Sequence, residues 1–367
     1  MKLECLKKDL EEAVETTTRI VSNTTTLPIL KCIVFEATSN KVLLRSTNLE
    51  LGIEKKLTAQ VQKEGSVAIP AQITLSTLKT FPNQSKVQIE LIDTSLVFKI
   101  GGTKTTIKTI PLDDFPTIPH LENKNKYTLP KESIIKGVRN VLYSASTSLI
   151  KPELASIYIY QENDSLIFVA TDSFRLAEQK IQSKSSEEIP PTIIPVKNTI
   201  ELVRILETQQ EEDITIYFDE NQCSLETQNL YITSRIIDGS FPDYKSILPK
   251  KTTTEVVVLK EDLLQTVKKS QIFSDKFGQI NLHIYPKKKT FTISAHNTDI
   301  GEIFDSLEAV CSGEDLDISF NYKYLLDVFQ SFQSDSITLR FSGIGKPLVI
   351  TGVGNKSFTY LVMPMNR

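Results

Sequence analysis

The chain is poor in the residues that build chemistry. Its 367 residues hold three histidines, His120, His283 and His296, and none stands in an HExxH pattern or beside a cysteine. A histidine-based metal centre or nucleophile is therefore not expected. The four cysteines, Cys5, Cys32, Cys223 and Cys311, lie far apart with no CxxC. That argues against a disulfide frame or zinc site and for small core residues of a cytosolic protein. No apolar run approaches the roughly 18–20 residues of a membrane span. The opening MKLECLKKDLEE lacks the apolar stretch of a secretory signal, so a soluble intracellular protein is expected, and Asn23-Thr24-Thr25 carries no glycosylation meaning. An excess of positive charge is missing too. With 42 basic against 45 acidic residues, the net charge is −3, which excludes a globally basic nucleic-acid binder but not one that segregates its charge. GGTKTT (101–106) and GIGKP (343–347) do not fit GxxxxGK[ST] and precede no helix, so they read as hairpin glycines. The acidic pairs Asp113-Asp114 and Glu187-Glu188 read as solvated loops. No catalytic, metal or cofactor site is expected.

Strand material dominates what is present. VLLRSTNLELGIEKKL, SLIFVATDSFRLAEQKI and TFTISAHNTDIGEIFDSL each alternate apolar and polar residues on both sides of a polar, turn-like cluster. Thr38-Ser39-Asn40, Glu162-Asn163-Asp164 and Asp219-Glu220-Asn221 add short turn signals. VATDSFRLA (169–177) places an acid, a hydroxyl and a guanidinium inside an otherwise apolar run. It reads either as a chemistry-bearing site or as a hairpin with a polar turn.

Helical stretches recur at a fixed interval, which organises the chain. KKDLEEAV, KESIIKGV and KEDLLQTV put Asp9, Ser133 and Asp262, 124 and 129 residues apart, just before the apolar pairs Leu10/Val14, Ile134/Val138 and Leu263/Val267. These three residues are the expected caps. IPAQITLSTL, IPVKNTIELV and FNYKYLLDVF open at Pro70, Pro195 and Asn321, 125 and 126 residues apart, with Leu75/Leu78, Ile200/Val203 and Leu326/Phe329 in register. Phe115-Pro116 and Phe241-Pro242 recur at 126 residues, and Pro364 falls two periods after Pro111. The pattern predicts three copies of one α+β unit, with boundaries at 1–121, 122–250 and 251–367. The linkers fall near HLENKNK (120–126) and PKKTTTE (249–255).

Six amphipathic helices must each bury one face. The exposed faces of most carry positive charge: Lys79; Lys131, Lys136 and Arg139; Lys197 and Arg204; Lys260, Lys268 and Lys269. The first helix, with Glu11, Glu12 and Glu15, is the exception. Such helices sharing one side would gather a positive surface on an acidic protein, as backbone-only nucleic-acid binding requires.

VATDSFRLA, RIIDGSFPDYKSILP, FNYKYLLDVF, the terminal YLVMPMNR, TLPIL (26–30) and TNLELGI (47–53) together resemble the beta subunit of bacterial DNA polymerase III, the sliding-clamp family. The resemblance runs end to end. It implies three clamp domains per subunit, antiparallel sheets outside and two helices per domain facing a central hole. It further implies a ring-shaped head-to-tail homodimer around double-stranded DNA, bound without regard to sequence. The implied partners are the DNA polymerase III alpha subunit, the clamp loader and other proteins with a clamp-binding motif; no membrane is involved. A peptide pocket is implied at Leu154, Thr171, Ser173, Phe174, Arg175, Leu176, Pro242, Ile247, Leu361 and Met363, with Thr171 and Arg175 as orienting polar groups. A neighbouring subsite involves Asn321, Tyr324, Pro364 and Met365. DNA-facing residues are Lys79, Lys136, Arg139, Lys197, Arg204 and Lys268. The dimer interface sets Ile272 and Phe273, after the fifth helix, against the strand of Thr105 and Ile107, with Lys104 facing Asp299 and Glu302. This chain departs from the family in two places. Ser173-Phe174 stands where Gly-His is common, and Thr24 and Thr25 where a basic residue often precedes TLPIL.

Two other readings compete with a processivity clamp: an enzyme of fused β-rich domains, and a protein-interaction scaffold that ignores DNA. The first needs a His, Cys or acid cluster converging on one cleft. Retention on circular DNA separates the second from a clamp.

Overall fold

A computed structural model describes residues 1–21, 27–39, 41–82, 85–121, 126–183 and 189–365. Thr24 and Thr25, Asn40, Glu187-Glu188 and most of the 120–126 linker lie outside them. The chain packs as two compact units, Met1–Glu132 with Lys197–Ile236, and Ser133–Val196 with Ile237–Arg367. The middle repeat is thus divided between the two, because its strands extend sheets begun by the repeats on either side.

In the first unit an eight-stranded sheet runs in the order Lys126–Pro130, Asp213–Phe218, Gln222–Glu226, Leu230–Arg235, Leu51–Leu57, Val42–Thr47, Cys32–Ala37, Gly65–Pro70. The join is the antiparallel pairing of Leu230–Arg235 with Leu51–Leu57, Ile232 opposite Ile53. A five-stranded sheet ends on Thr103–Lys108, which among the described residues pairs only with Ser95–Ile100. Leu3, Ile89 and Phe98 from this sheet meet Ile33, Phe35 and Leu44 from the other, with Leu10, Val14 and Leu78 from two helices, in one buried core.

In the second unit a nine-stranded sheet has Arg175–Gln182 and Asn355–Val362 side by side at its centre, Leu176 opposite Leu361. A four-stranded sheet runs Gly301–Leu307, Thr290–Asn297, Gln279–Tyr285, Leu316–Asn321. The three polar clusters expected to be turns are turns, joining Val42–Thr47 to Leu51–Leu57, Ser165–Thr171 to Arg175–Gln182, and Thr290–Asn297 to Gly301–Leu307.

The described residues hold six α-helices: α1 (Lys7–Thr18), α2 (Ala71–Lys79), α3 (Lys131–Val141), α4 (Val196–Leu206), α5 (Lys260–Ile272) and α6 (Tyr322–Asp327). Asp9, Ser133 and Asp262 do not cap them. The preceding strand leads straight into each helix, which starts three residues earlier than expected. Asp9 and Asp262 sit instead in the first turn, where a carboxylate favours the positive end of the helix dipole. The first N–H of α1, α3 and α5 is satisfied from outside, donated by Lys7 to Ser85 O, Lys131 to Glu212 O and Lys260 to Asp335 O at 2.9, 2.7 and 2.8 Å. That shared device is the repeat expressed in hydrogen bonds.

The same three lysines turn inward. Lys7 is 1% exposed beside Glu11, Lys131 Nζ donates to Gln209 O (2.6 Å) and Lys260 Nζ to Phe332 O (3.1 Å). Lys131 and Lys260 therefore leave the positive surface counted from sequence. Pro70 and Asn321 stand at the N-cap positions of α2 and α6, and Asn321 Oδ1 accepts from Lys323 N. Gly137 lets α3 lie on the sheet: a Cβ there would stand 2.3 Å from the ring of Phe168.

Candidate peptide pocket and charged surfaces

The VATDSFRLA turn is built by its own polar residues. Asp172 Oδ1 accepts from the N–H groups of Phe174 and Arg175, both at 2.9 Å, and its Oδ2 accepts from Arg175 Nε at 3.0 Å. Thr171 Oγ1 donates to Arg175 O at 2.7 Å and accepts from Ser173 N at 3.2 Å. Ser173 adopts φ 76°, a conformation that glycine takes without steric cost. Arg175 Nη1 reaches Asp327 at 2.5 Å, and its guanidinium lies over the ring of Tyr324 at 4.6 Å. Thr171 and Arg175 thus hold the turn itself in shape, because a half-buried guanidinium needs its charge and donors matched.

Behind the turn lies an apolar cluster. Leu176 and Leu361, neighbours across the ladder, are buried with Ile167, Val169, Tyr160 and Tyr244, and half-buried Met363 and Phe241 pack on them. Met363 N donates to Phe174 O at 2.7 Å, so the turn and the residues after Asn355–Val362 are directly bonded. Leu154 is 7% exposed, whereas Phe174 (60%), Ile247 (49%) and Pro242 stay open to solvent. The structure thus brings a buried apolar floor and an exposed apolar rim together within one unit. Sequence reasoning missed the aromatic wall: Phe241 stacks on Tyr158 at 4.8 Å and Tyr158 on Tyr160 at 4.9 Å. Its signal was the FPDY run at 241–244.

Asn321 is used as a helix cap, its Nδ2 also donating to Phe277 O, and the Tyr324 carbonyl accepts from Tyr360 OH. Pro364 and Met365 line a cleft of about 690 Å³ with Asn281, His283 and Ser319, and Met365 N donates to Ser319 O at 2.8 Å.

Lys79, Lys136, Arg139, Lys197, Arg204 and Lys268 are all exposed. Lys79 lies 3.7 Å from Glu15, and Arg204 is 2.7 Å from Glu201. Lys269, next to Lys268, is engaged with Asp305 at 2.9 Å, and that hydrogen bond holds the Asp305 carboxyl below its usual range.

Of the residues expected at a dimer interface, Lys104, Asp299 and Glu302 are exposed and Thr105 is half-buried. Ile107 is not available: it is 5% exposed and belongs to the first unit's core, because inward and outward residues alternate along its strand. Ile272 is the last residue of α5 rather than beyond it and is 63% exposed, with half-buried Phe273 as the C-cap. Ile300 (63%) and Phe304 (67%), on or beside the outermost strand of the four-stranded sheet, were missed. The signal for Phe304 was a phenylalanine in the polar phase of GEIFDSL.

Cys5, Cys32 and Cys223 are buried and Cys311 half-buried, all as free thiols. Burial pushes the first three up to about 12, 11 and 12. Among the described residues, no group of three or more His, Cys, Asp or Glu is placed to hold a metal ion, and no helix is long and apolar enough to cross a membrane.

Comparison with known proteins accounts for nearly the whole chain. Models of the N-terminal, central and C-terminal domains of the DNA polymerase III beta subunit match residues 1–119, 128–243 and 245–366, in that order. The Beta sliding clamp of Synechococcus elongatus is 26% identical over 100% of this chain and 99% of its own. The crystal structure of the DNA polymerase sliding clamp from Bacillus subtilis superposes with a TM-score of 0.95 at 26% identity, covering 100% of this chain and 99% of that one. The DNA polymerase III beta subunit from Thermotoga maritima gives 0.93 at 25% identity, with coverages of 100% and 99%. With three domain models in sequence and full-length relatives, the chain belongs to the DNA polymerase III beta subunit family, the DNA sliding clamps that serve as processivity factors.

Proposed function

We propose that two copies of this chain close head to tail around duplex DNA and tether the replicative polymerase, the clamp loader and repair proteins to it. The domains are 1–121, 122–250 and 251–367, and the work is mechanical, in the cytoplasm on the nucleoid, without a chemical step of its own. The observation that carries this reading is the unbroken N-terminal, central and C-terminal order of the family's domains along the chain. Two surfaces support it. Ile272, Ile300 and Phe304 expose apolar side chains around an outermost strand, which suits pairing with another copy's outermost strand, such as Thr103–Lys108. The cluster under the 171–175 turn offers an apolar floor and open rim, which suits a short peptide with apolar anchors such as Gln-Leu-Ser-Leu-Phe.

DNA is held by topology, and exposed Lys and Arg supply weak, salt-sensitive phosphate contacts that permit sliding. Loaded protein stays on nicked circular DNA at moderate salt and leaves when the circle is cut. Charge reversal at Lys197 and Arg204 weakens loading with the oligomeric mass unchanged. Equal loss from circular and linear DNA overturns the reading.

A further inference from the structure

We propose that Tyr244 is a positioning residue of the peptide pocket: its hydroxyl latches segment Phe241–Leu248 onto the sheet through buried Glu178, fixing the wall against which a bound apolar side chain packs. The proposal rests on reading this cluster as the peptide pocket.

The segment is not a strand and borrows little from the sheet's backbone. Its own bonds are local: Tyr244 N to Pro242 O at 2.7 Å, Leu248 N to Lys245 O at 3.4 Å and Ser246 Oγ to Asp243 O at 2.7 Å. Side chains hold it in place. Tyr244, 4% exposed, donates its hydroxyl to Glu178 Oε2 at 2.5 Å and shares a 2.7 Å contact with the hydroxyl of Tyr160. Phe241 stacks on Tyr158 with planes 12° apart. Lys245 pairs with Glu162 and lies over the Tyr160 ring at 5.4 Å.

Glu178 is 5% exposed on the face that carries the pocket floor, two residues along from Leu176 and opposite Val169. A carboxylate buried there is costly unless hydrogen-bonded. Tyr244 takes one oxygen, and Lys180 lies 3.3 Å from the other. Burial, and then the bond to Glu178, raise the Tyr244 hydroxyl far above the ordinary phenol range, so it remains a donor. The segment presents Pro242 and Ile247 to solvent beside the polar Asp243, Lys245 and Ser246, and those two apolar residues are its share of the rim. With the latch broken, the wall is in place for a smaller fraction of the time, and the apparent dissociation constant rises by the inverse of that fraction.

The test uses the full-length protein and fluorescence anisotropy with labelled Gln-Leu-Ser-Leu-Phe. Tyr244→Phe is expected to weaken binding about tenfold, the loss of one hydrogen bond to a charged group. Glu178→Gln, which keeps an acceptor, should stay within about threefold of wild type, whereas Glu178→Leu should match Tyr244→Phe. In an Ile247→Ala background, Tyr244→Phe should add less than about twofold, because the wall it positions has already lost its contact. Should Tyr244→Phe fail to fold, Tyr160→Phe serves in its place, with about a threefold loss expected. Undiminished affinity in the latch variants, or fold-changes that simply multiply with Ile247→Ala, overturn the latch and leave the pocket standing. Absence of binding by the wild type sinks the pocket, and the latch with it.

Discussion

Met363 donates its backbone N–H to the carbonyl of Phe174 at 2.7 Å, joining the polar turn of one repeat to the residues that follow the innermost strand of another. The bond places half-buried Met363 over Leu176 and Leu361. Met363→Asp is expected to abolish binding of the Gln-Leu-Ser-Leu-Phe peptide, since each apolar anchor buried there contributes about 2–3 kcal/mol. Mass in solution should stay unchanged. Peptide titration decides it: undiminished affinity means the pocket lies elsewhere.

Ile272 and Phe304, 63% and 67% exposed, contribute little to their own unit's core. Replacing both with Ala should therefore leave the thermal midpoint of the isolated chain nearly unchanged and convert dimer to folded monomer by light scattering. A dimer that persists at micromolar concentration contradicts the assignment of this edge to the interface.

Gly137→Ala tests the seat of α3 on the sheet. In an exposed helix the change stabilises by up to about 1 kcal/mol. Here the new Cβ would stand 2.3 Å from Phe168, and Phe168 is fully buried. Overpacking of this kind costs about 1–3 kcal/mol, so the melting temperature should fall. A rise would show that the ring moves aside freely.

The repeat, the hairpins and the helix positions were legible in the sequence because periodicity and turn chemistry are local. Helix starts were misread by three residues because the first N–H of α1, α3 and α5 is satisfied by a distant carbonyl, which no nearby capping residue announces. Charge was harder still. Lys131, Lys260 and Lys268 look alike on a helical wheel, yet two of them donate into the protein and of the three only Lys268 is exposed. Ile107 was misjudged because strand phase decides which residues face inward, and composition does not reveal phase; Phe304 was missed although its place in the polar phase of GEIFDSL marked it. Asp172 read as possible chemistry, but its bonds belong to the turn.

Residues Asn355–Val362 lie in the middle of the nine-stranded sheet, between Arg175–Gln182 and Leu348–Gly352. Leu361 and Met363 supply part of the cluster under the turn. During synthesis the first unit has all its strands once residue 236 has emerged. The second must wait with an open gap in its main sheet until residues beyond 361 leave the ribosome. The proposed peptide site is therefore complete only when translation has passed this strand.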